Sequence, residues 1–202
     1  MGIADMPGTL FVFSAASGAG KTTLINKVMP FFPNVVYSVS ATTRKPRTGE
    51  VDGIHYFFKT EEEFKKMIEQ NELVEWNKVH NNYYGTPKFF VEEKLSEGKD
   101  VAFDLDVFGK LNFDKVYPQA IGILILPPSL EELEKRLRDR KTETEEVIRI
   151  RMENAKKEIE FATTKGKYQY TIYNGDLEMA IVELKGIMEK YSSFKSSIQS
   201  GS

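Results

Sequence analysis

Phe11-Val12-Phe13-Ser14-Ala15-Ala16-Ser17-Gly18-Ala19-Gly20-Lys21-Thr22-Thr23 is the stretch that decides the fold. An apolar run of strand length leads into a turn of small residues, and the turn opens a helix that begins Leu24-Ile25. This is the Walker A pattern with Ala15 in place of its first glycine. Gly18 and Gly20 let consecutive backbone N–H groups converge on phosphate oxygens, while the helix N-terminus adds a favourable dipole. Lys21 is placed to neutralise the β- and γ-phosphates of ATP, and Thr22 to put a hydroxyl on Mg²⁺. The expected ATP-binding loop is therefore Ala16, Ser17, Gly18, Ala19, Gly20, Lys21, Thr22 and Thr23. A simple helix cap would account for the glycines but not for Lys-Thr directly after them.

Outward from the loop, short apolar runs at Thr9–Ser14, Val35–Val39, Asp100–Leu105, Ile121–Leu126 and Tyr168–Tyr173 read as buried strands. Between most of them lie helical patterns at Lys21–Met29, Pro87–Glu97, Ser129–Arg138, Thr144–Ala162 and Leu177–Tyr191, as the spacing of Leu130, Leu133 and Leu137 illustrates. Alternating strands and helices predict an α/β fold of three layers, a five-stranded parallel sheet covered on both faces. Ser129 with Glu132 has capping-box spacing, and Thr144 supplies a second helix start. The stretch from Arg44 to Thr86 breaks the alternation with polar turns, strand-like pieces at Ile54–Phe58 and Leu73–Val79, and a helix near Glu61–Asn71. It reads as an inserted lobe.

Composition narrows the partners. With 202 residues and 41% hydrophobic content, the chain is expected to form one sizeable domain. Lys plus Arg number 28 against 30 Asp plus Glu, so neither nucleic acid nor an anionic membrane is expected as a main partner, and any anion site must be local. There is no cysteine, which excludes disulfides and cysteine zinc sites. No stretch approaches the roughly 18 apolar residues of a membrane span, and residues 1–8 carry no basic run before an apolar one, so a cytoplasmic protein of unknown oligomeric state is the expectation. Residues 192–202, ending Ser200-Gly201-Ser202, read as a flexible tail.

A partner for the metal should end another core strand. Val101-Ala102-Phe103-Asp104-Leu105-Asp106 offers two carboxylates there, of which Asp104 suits Mg²⁺, directly or through water. Phosphoryl transfer also requires an anion site facing the γ-phosphate. Arg44 and Arg47, on either side of Pro46, can clamp one phosphate from Ser38-Val39-Ser40-Ala41-Thr42-Thr43-Arg44-Lys45-Pro46-Arg47.

That run continues through Gly49-Glu50-Val51-Asp52-Gly53-Ile54-His55-Tyr56, Glu72-Leu73-Val74-Glu75-Trp76 and Asn82-Tyr83-Tyr84-Gly85-Thr86-Pro87, then Asp104-Leu105-Asp106-Val107, Leu126-Pro127-Pro128-Ser129 and Arg140-Lys141-Thr142-Glu143-Thr144-Glu145-Glu146. Order and wording closely resemble the guanylate kinase family, from about Thr9 to Tyr191. The resemblance implies Mg-ATP-dependent phosphorylation of GMP, and of dGMP, by direct in-line transfer. It implies a core of about 9–39, 87–134 and 163–191, a GMP-binding lobe of about 40–86 and a lid of about 135–162. It puts Arg44, Arg47, Tyr56 and Tyr84 on the GMP phosphate, with Ser40, Glu75, Thr86 and Asp106 around the guanine. Carboxylates suit the N1–H and N2–H donors of guanine, and hydroxyls suit its O6 acceptor. It further implies that Arg140 and Arg151 close over the donor phosphates, with Arg136 in support, and that Asn174 borders the ATP site. For Arg136 the alternative is a helix-surface pair with Glu132 at i,i+4.

Three positions depart from the commonest family wording: Phe108 where Gln is usual, Lys141 for Gly, and Gly175 for Asp. Trp76, Phe103 and Phe113 are expected in core or lobe packing, and His55 and His80 have neither metal-ligand spacing nor a nucleophile partner. Two other readings compete. A non-catalytic guanylate-kinase-like interaction module typically has a degraded loop, whereas Lys21, Thr22, Arg44 and Arg47 are all present. A related kinase of phosphorylated sugars would leave Ser40, Glu75, Thr86 and Asp106 without a purpose.

Overall fold

The computed structural model describes residues 8–79, 81–139 and 144–193. Arg140, Lys141, His80 and residues 194–202 lie outside the described residues, whereas Ser192 and Ser193, expected in the flexible tail, are tied down by donating to Asp100. In chain order the elements are β1 (Leu10–Ala15), α1 (Lys21–Val28), a short 3₁₀ turn at Met29–Phe31, β2 (Val35–Tyr37), β3 (Ala41–Thr42) and β4 (Phe57–Phe58). They continue with α2 (Glu61–Glu69), β5 (Leu73–Val79), β6 (Asn82–Pro87), α3 (Lys88–Ser96), β7 (Asp100–Asp104) and α4 (Val107–Val116). The last are β8 (Ile121–Leu126), α5 (Leu130–Asp139), α6 (Glu145–Thr164), β9 (Tyr170–Tyr173) and α7 (Leu177–Tyr191).

The five expected core strands form one parallel sheet in the order β2-β7-β1-β8-β9. β1 is central, so it is the strand whose loop emerges between neighbours on both sides. It pairs with β7 from Leu10 opposite Val101 to Phe13 opposite Asp104, and with β8 from Phe11 opposite Ile121 to Ala15 opposite Ile125. That register brings the carboxyl end of β7, and hence Asp104, beside the start of the phosphate loop, where ligands of open α/β sheets bind.

Apolar clusters cover each face. Phe11, Phe13, Ile123, Ile125 and Ile172 pack with Leu24, Ile25 and Val28 of α1 and Leu184, Ile187 and Met188 of α7. On the other face Val12, Val101 and Phe103 pack with Val91 and Leu95 of α3 and Phe113 of α4. Phe103 and Phe113 are buried in the core, and Trp76, 44% exposed, packs in the lobe with its ring 5.8 Å from that of Tyr83, the two alternatives expected for these aromatics. Thr144 caps α6 by accepting from Val147 N–H, and Ser129 Oγ accepts from Glu132 N–H at 3.2 Å.

A second, four-stranded sheet of order β4-β3-β6-β5 builds the inserted segment, with α2 set against it through Phe64 and Met67. Thr60 and Glu63 form a full capping box at the start of α2. Strand-like Ile54–Phe58 proves to be a bend followed by the two residues of β4, because Gly53 at φ 75° turns the chain and Asp52 Oδ1 accepts from Phe58 N–H at 2.7 Å.

Candidate active site

The phosphate loop has the backbone its sequence requires. Gly18 and Gly20 sit at φ 94° and 89°, in the left-handed region, whereas Ala15 ends β1 in strand conformation, which is why a Cβ is tolerated there. Both glycines are also sterically confined. A Cβ on Gly18 would come 2.9 Å from Leu133 Cδ1, and one on Gly20 would come 2.5 Å from Asn174 Nδ2. Asn174 is buried and donates from Nδ2 to the Ala19 carbonyl at 2.9 Å, so it braces the loop through its backbone. Residues 15–23 line a cavity of about 230 Å³, and Arg151 of α6 completes its wall. Thr22 and Thr23 are exposed at the start of α1. Lys21 Nζ donates to Asp104 Oδ1, and the lysine is far more enclosed than its partner.

Asp104 also belongs to the neighbouring cavities. One of about 240 Å³ is lined by Tyr37, Ser38, Ser40, His55, Tyr56, Thr86, Phe103, Asp104 and Leu105. The other, of about 200 Å³, is lined by Ser40, Tyr56, Glu75, Asn77, Tyr84, Gly85, Asp104, Leu105, Asp106 and Gly109. They share Ser40, Tyr56, Asp104 and Leu105, and so form one crevice between the two sheets. The structure thus gathers Ser40, Tyr56, Glu75, Tyr84, Thr86, Asp104 and Asp106 at one place. Sequence separations of up to 66 residues vanish there because β3, β5, β6 and β7 all end or pass at this crevice.

The carboxylates are tuned differently. Glu75 is pushed up to about 7, mainly because burial disfavours its charged form and also because Asp106 is close; hydrogen bonds from Thr86 act the other way. The Thr86 hydroxyl donates to Glu75 Oε1 at 2.7 Å, which orients the carboxyl group. Asp106 caps α4, its Oδ1 accepting from Phe108 N–H at 2.9 Å and Gly109 N–H at 2.6 Å. A Cβ on Gly109 would stand 3.4 Å from Glu75 Oε2, so the glycine makes room for that carboxylate. Burial likewise raises Tyr37 to about 12, with the Asp104 charge adding to the effect.

Arg44 is held beside the crevice. Glu50 accepts from its guanidinium at 2.8 and 3.0 Å, and Glu50 Oε2 also accepts from Arg47 N–H at 2.7 Å. This pairing draws Glu50 down to about 2 and raises Arg44. The guanidinium carbon lies 5.2 Å from the Tyr56 ring centroid, in cation–π range. The Arg47 side chain is exposed and lines neither part of the crevice. Arg136 pairs with Glu132 at 3.0 Å, the helix-surface contact named above as its alternative. Phe108 is half exposed and meets the Phe161 ring at 4.5 Å, while Gly175 faces Pro128.

Sequence reasoning passed over two residues that the structure brings to the site. Glu50 lies six residues after Arg44 across a turn, a spacing with no periodic signal. Glu158 is seven residues after Arg151 on α6, and that two-turn spacing was legible. Among the described residues no helix is long and apolar enough to cross a membrane.

Known proteins resemble the chain over most of its length. The model of the family described as guanylate kinase matches residues 8–191. A guanylate kinase of Desulfitobacterium hafniense (strain Y51) is 45% identical over 181 residues, 90% of this chain and 89% of that protein. One from Halalkalibacterium halodurans is 46% identical over 90% of this chain and 87% of its own length. The crystal structure of guanylate kinase from Anaplasma phagocytophilum superposes with a TM-score of 0.67 at 31% identity, covering 92% of this chain and 86% of that one.

Proposed function

The chain belongs to the guanylate kinase family and is an ATP:GMP phosphotransferase, and from that premise we propose how its own residues divide the work. ATP phosphates lie in the cavity of residues 15–23, and GMP lies in the crevice between the two sheets, where the lobe of about residues 40–86 faces the end of β7. The observation that carries this is the position of Asp104, which pairs with Lys21 of the loop and lines the crevice, so donor and acceptor meet at one carboxylate.

At the base, Glu75 accepts from guanine N1–H and N2–H, its second oxygen fixed by Thr86, and Asp106 and Ser40 complete the edge. Adenine would set an acceptor against the Glu75 carboxylate, a buried mismatch that discriminates strongly. At the phosphate, Tyr56 and Tyr84 line the crevice and Arg44 swings from Glu50 or shares it, with Arg47 joining from the same turn. Lys21 and Arg151 neutralise charge on the transferring group, Arg140, next in sequence after α5, joins them, and Arg136 supports from α5, which with α6 forms the lid, about 135–162. Asn174 acts on ATP through the loop backbone.

Thr22 and Asp104 present a hydroxyl and a carboxylate at the junction, the oxygen donors that suit Mg²⁺, with phosphate and water left to complete its shell. When bound, the ion withdraws charge from the phosphates. No covalent enzyme intermediate is needed, because a GMP phosphate oxygen attacks directly. The test is ADP release from Mg-ATP with GMP, dGMP, AMP, UMP and CMP in parallel. Turnover is expected with GMP and dGMP alone. Comparable turnover with AMP would overturn the assignment of the base-reading set.

A further inference from the structure

The helix α6 has two halves with different neighbours. Toward its C-terminus, Ala162 is buried with Val107, Leu124 and Leu126, and Ile159 and Phe161 pack on that cluster. Toward its N-terminus, Ile148 and Ala155 are buried with Leu133 and Leu137 of α5 and with Ala16 of the phosphate loop. Glu158 stands where these halves join. It is half-buried, and its Oε2 accepts from the backbone N–H of Ser17 at 3.1 Å. Lys21 and Asp106 both lie close enough to act on its charge. Nothing in the reaction outlined above uses this carboxylate.

Arg151 lies two helical turns before Glu158, on the same side of the helix and about 10 Å along its axis. It lines the phosphate-loop cavity. The apolar contacts of α6 hold it to α5 and to the core, but they are non-directional and tolerate small slides and rolls. A charge-assisted hydrogen bond to an amide of the loop itself is directional and ties the helix to the very backbone that holds the donor phosphates. We propose that Glu158 is a positioning residue: by accepting the Ser17 amide it registers α6 on the phosphate loop and so holds Arg151 at the donor phosphates. The inference rests on the placement of ATP in the loop cavity.

The test is a mutant cycle of Glu158→Ala, Arg151→Ala and the double variant, with Glu158→Gln as the conservative change, read as kcat and as KM for ATP and GMP separately. Glu158→Ala is expected to lower kcat about tenfold, since small misplacement of a charge-stabilising group is costly, while KM for GMP stays put. Gln keeps an acceptor for the amide and restores most of that loss. In the Arg151→Ala background, Glu158→Ala costs less than about twofold, because the residue it positions is gone. An equal loss in both backgrounds, or an unimpaired Glu158→Ala enzyme, overturns the proposal. Should Glu158→Ala not fold, Glu158→Asp, one methylene too short for the amide, takes its place in the same cycle with the same expectations. Failure here is separable from failure of the underlying reading, which is checked by wild-type turnover of GMP and its loss in Lys21→Ala.

Discussion

Lowering the pH from 8 to 6 should weaken GMP binding through Glu75 while leaving ATP binding nearly unchanged. Burial holds the Glu75 carboxyl group up to about 7 in the free protein. Only its ionised form accepts from the guanine N–H donors, so the apparent dissociation constant is the intrinsic one divided by the ionised fraction. That fraction is about nine-tenths at pH 8, about half at pH 7 and about one-tenth at pH 6, so KM for GMP should rise about tenfold over the range, or about 1.4 kcal/mol. The GMP phosphate itself titrates near pH 6, so the assay needs a control that retains it. Glu75→Gln supplies one, since its remaining pH dependence belongs to the substrate and the other groups. Initial rates of ADP release at saturating ATP, with GMP varied at each pH, give both curves. A flat wild-type curve, or a slope that persists undiminished in Glu75→Gln, would refute the reasoning. The same group shapes stability in the opposite sense. Its folded pKa lies above the ordinary 4.5, so the folded state holds the proton more tightly than the unfolded chain does. Its contribution to stability is full below about 4.5 and is lost as pH rises through about 7. Glu75→Gln should therefore raise Tm at pH 8 by a few degrees and change it little at pH 4.

Lys21→Ala should leave far-UV circular dichroism and Tm close to wild type and lower kcat by about a thousandfold or more, because it removes a cation of the loop cavity that we propose neutralises the donor phosphates; unchanged turnover would remove the loop from the mechanism. Glu50→Ala frees the Arg44 guanidinium from its orienting partner and should raise KM for GMP about tenfold with KM for ATP unaltered, measured by varying each substrate in turn. Asp100 is buried and accepts from Thr9 N–H at 2.7 Å, from the Ser192 hydroxyl at 2.7 Å and from Ser193 N–H, joining the two ends of the domain. Asp100→Ala strands those donors and should cost about 3 kcal/mol in urea denaturation, with kcat preserved below the transition.

Where sequence reading succeeded and where it stopped follows from which interactions are local. All five core strands were legible because each is a short apolar run, and α1, α5, α6 and α7 because their apolar positions recur at helical spacing. The helix α4 was not. Its polarity pattern is inverted, with Lys110 buried beside Val107 and Gly109 while Phe108 is exposed with Asn112 and Lys115, so residue types do not mark its faces, and its capping Asp106 had a separate reading as a base-reading residue. The burial of Lys110 is made possible by Asp114, one turn along, at 2.5 Å, and by the Lys167 carbonyl, a contact across 57 residues. The strands β3 and β4 span two residues each, too short to carry alternation, and exist because β6 lies alongside β3.

The sequence alone determined the phosphate loop, since a strand, two positive-φ glycines, Lys21 and a helix start are consecutive and their geometry is local. It determined the reaction class for the same reason, and motif resemblance named the residues that we propose read guanine. Only the tertiary structure decided how those residues are poised. The ionisation of Glu75, the capture of Arg44 by Glu50, the role of Asn174 as a brace and the tie between Glu158 and Ser17 all depend on desolvation or on hydrogen bonds between chain segments far apart or turned back on one another. Desolvation and hydrogen-bond geometry are properties of a folded environment, and no spacing along the chain encodes them.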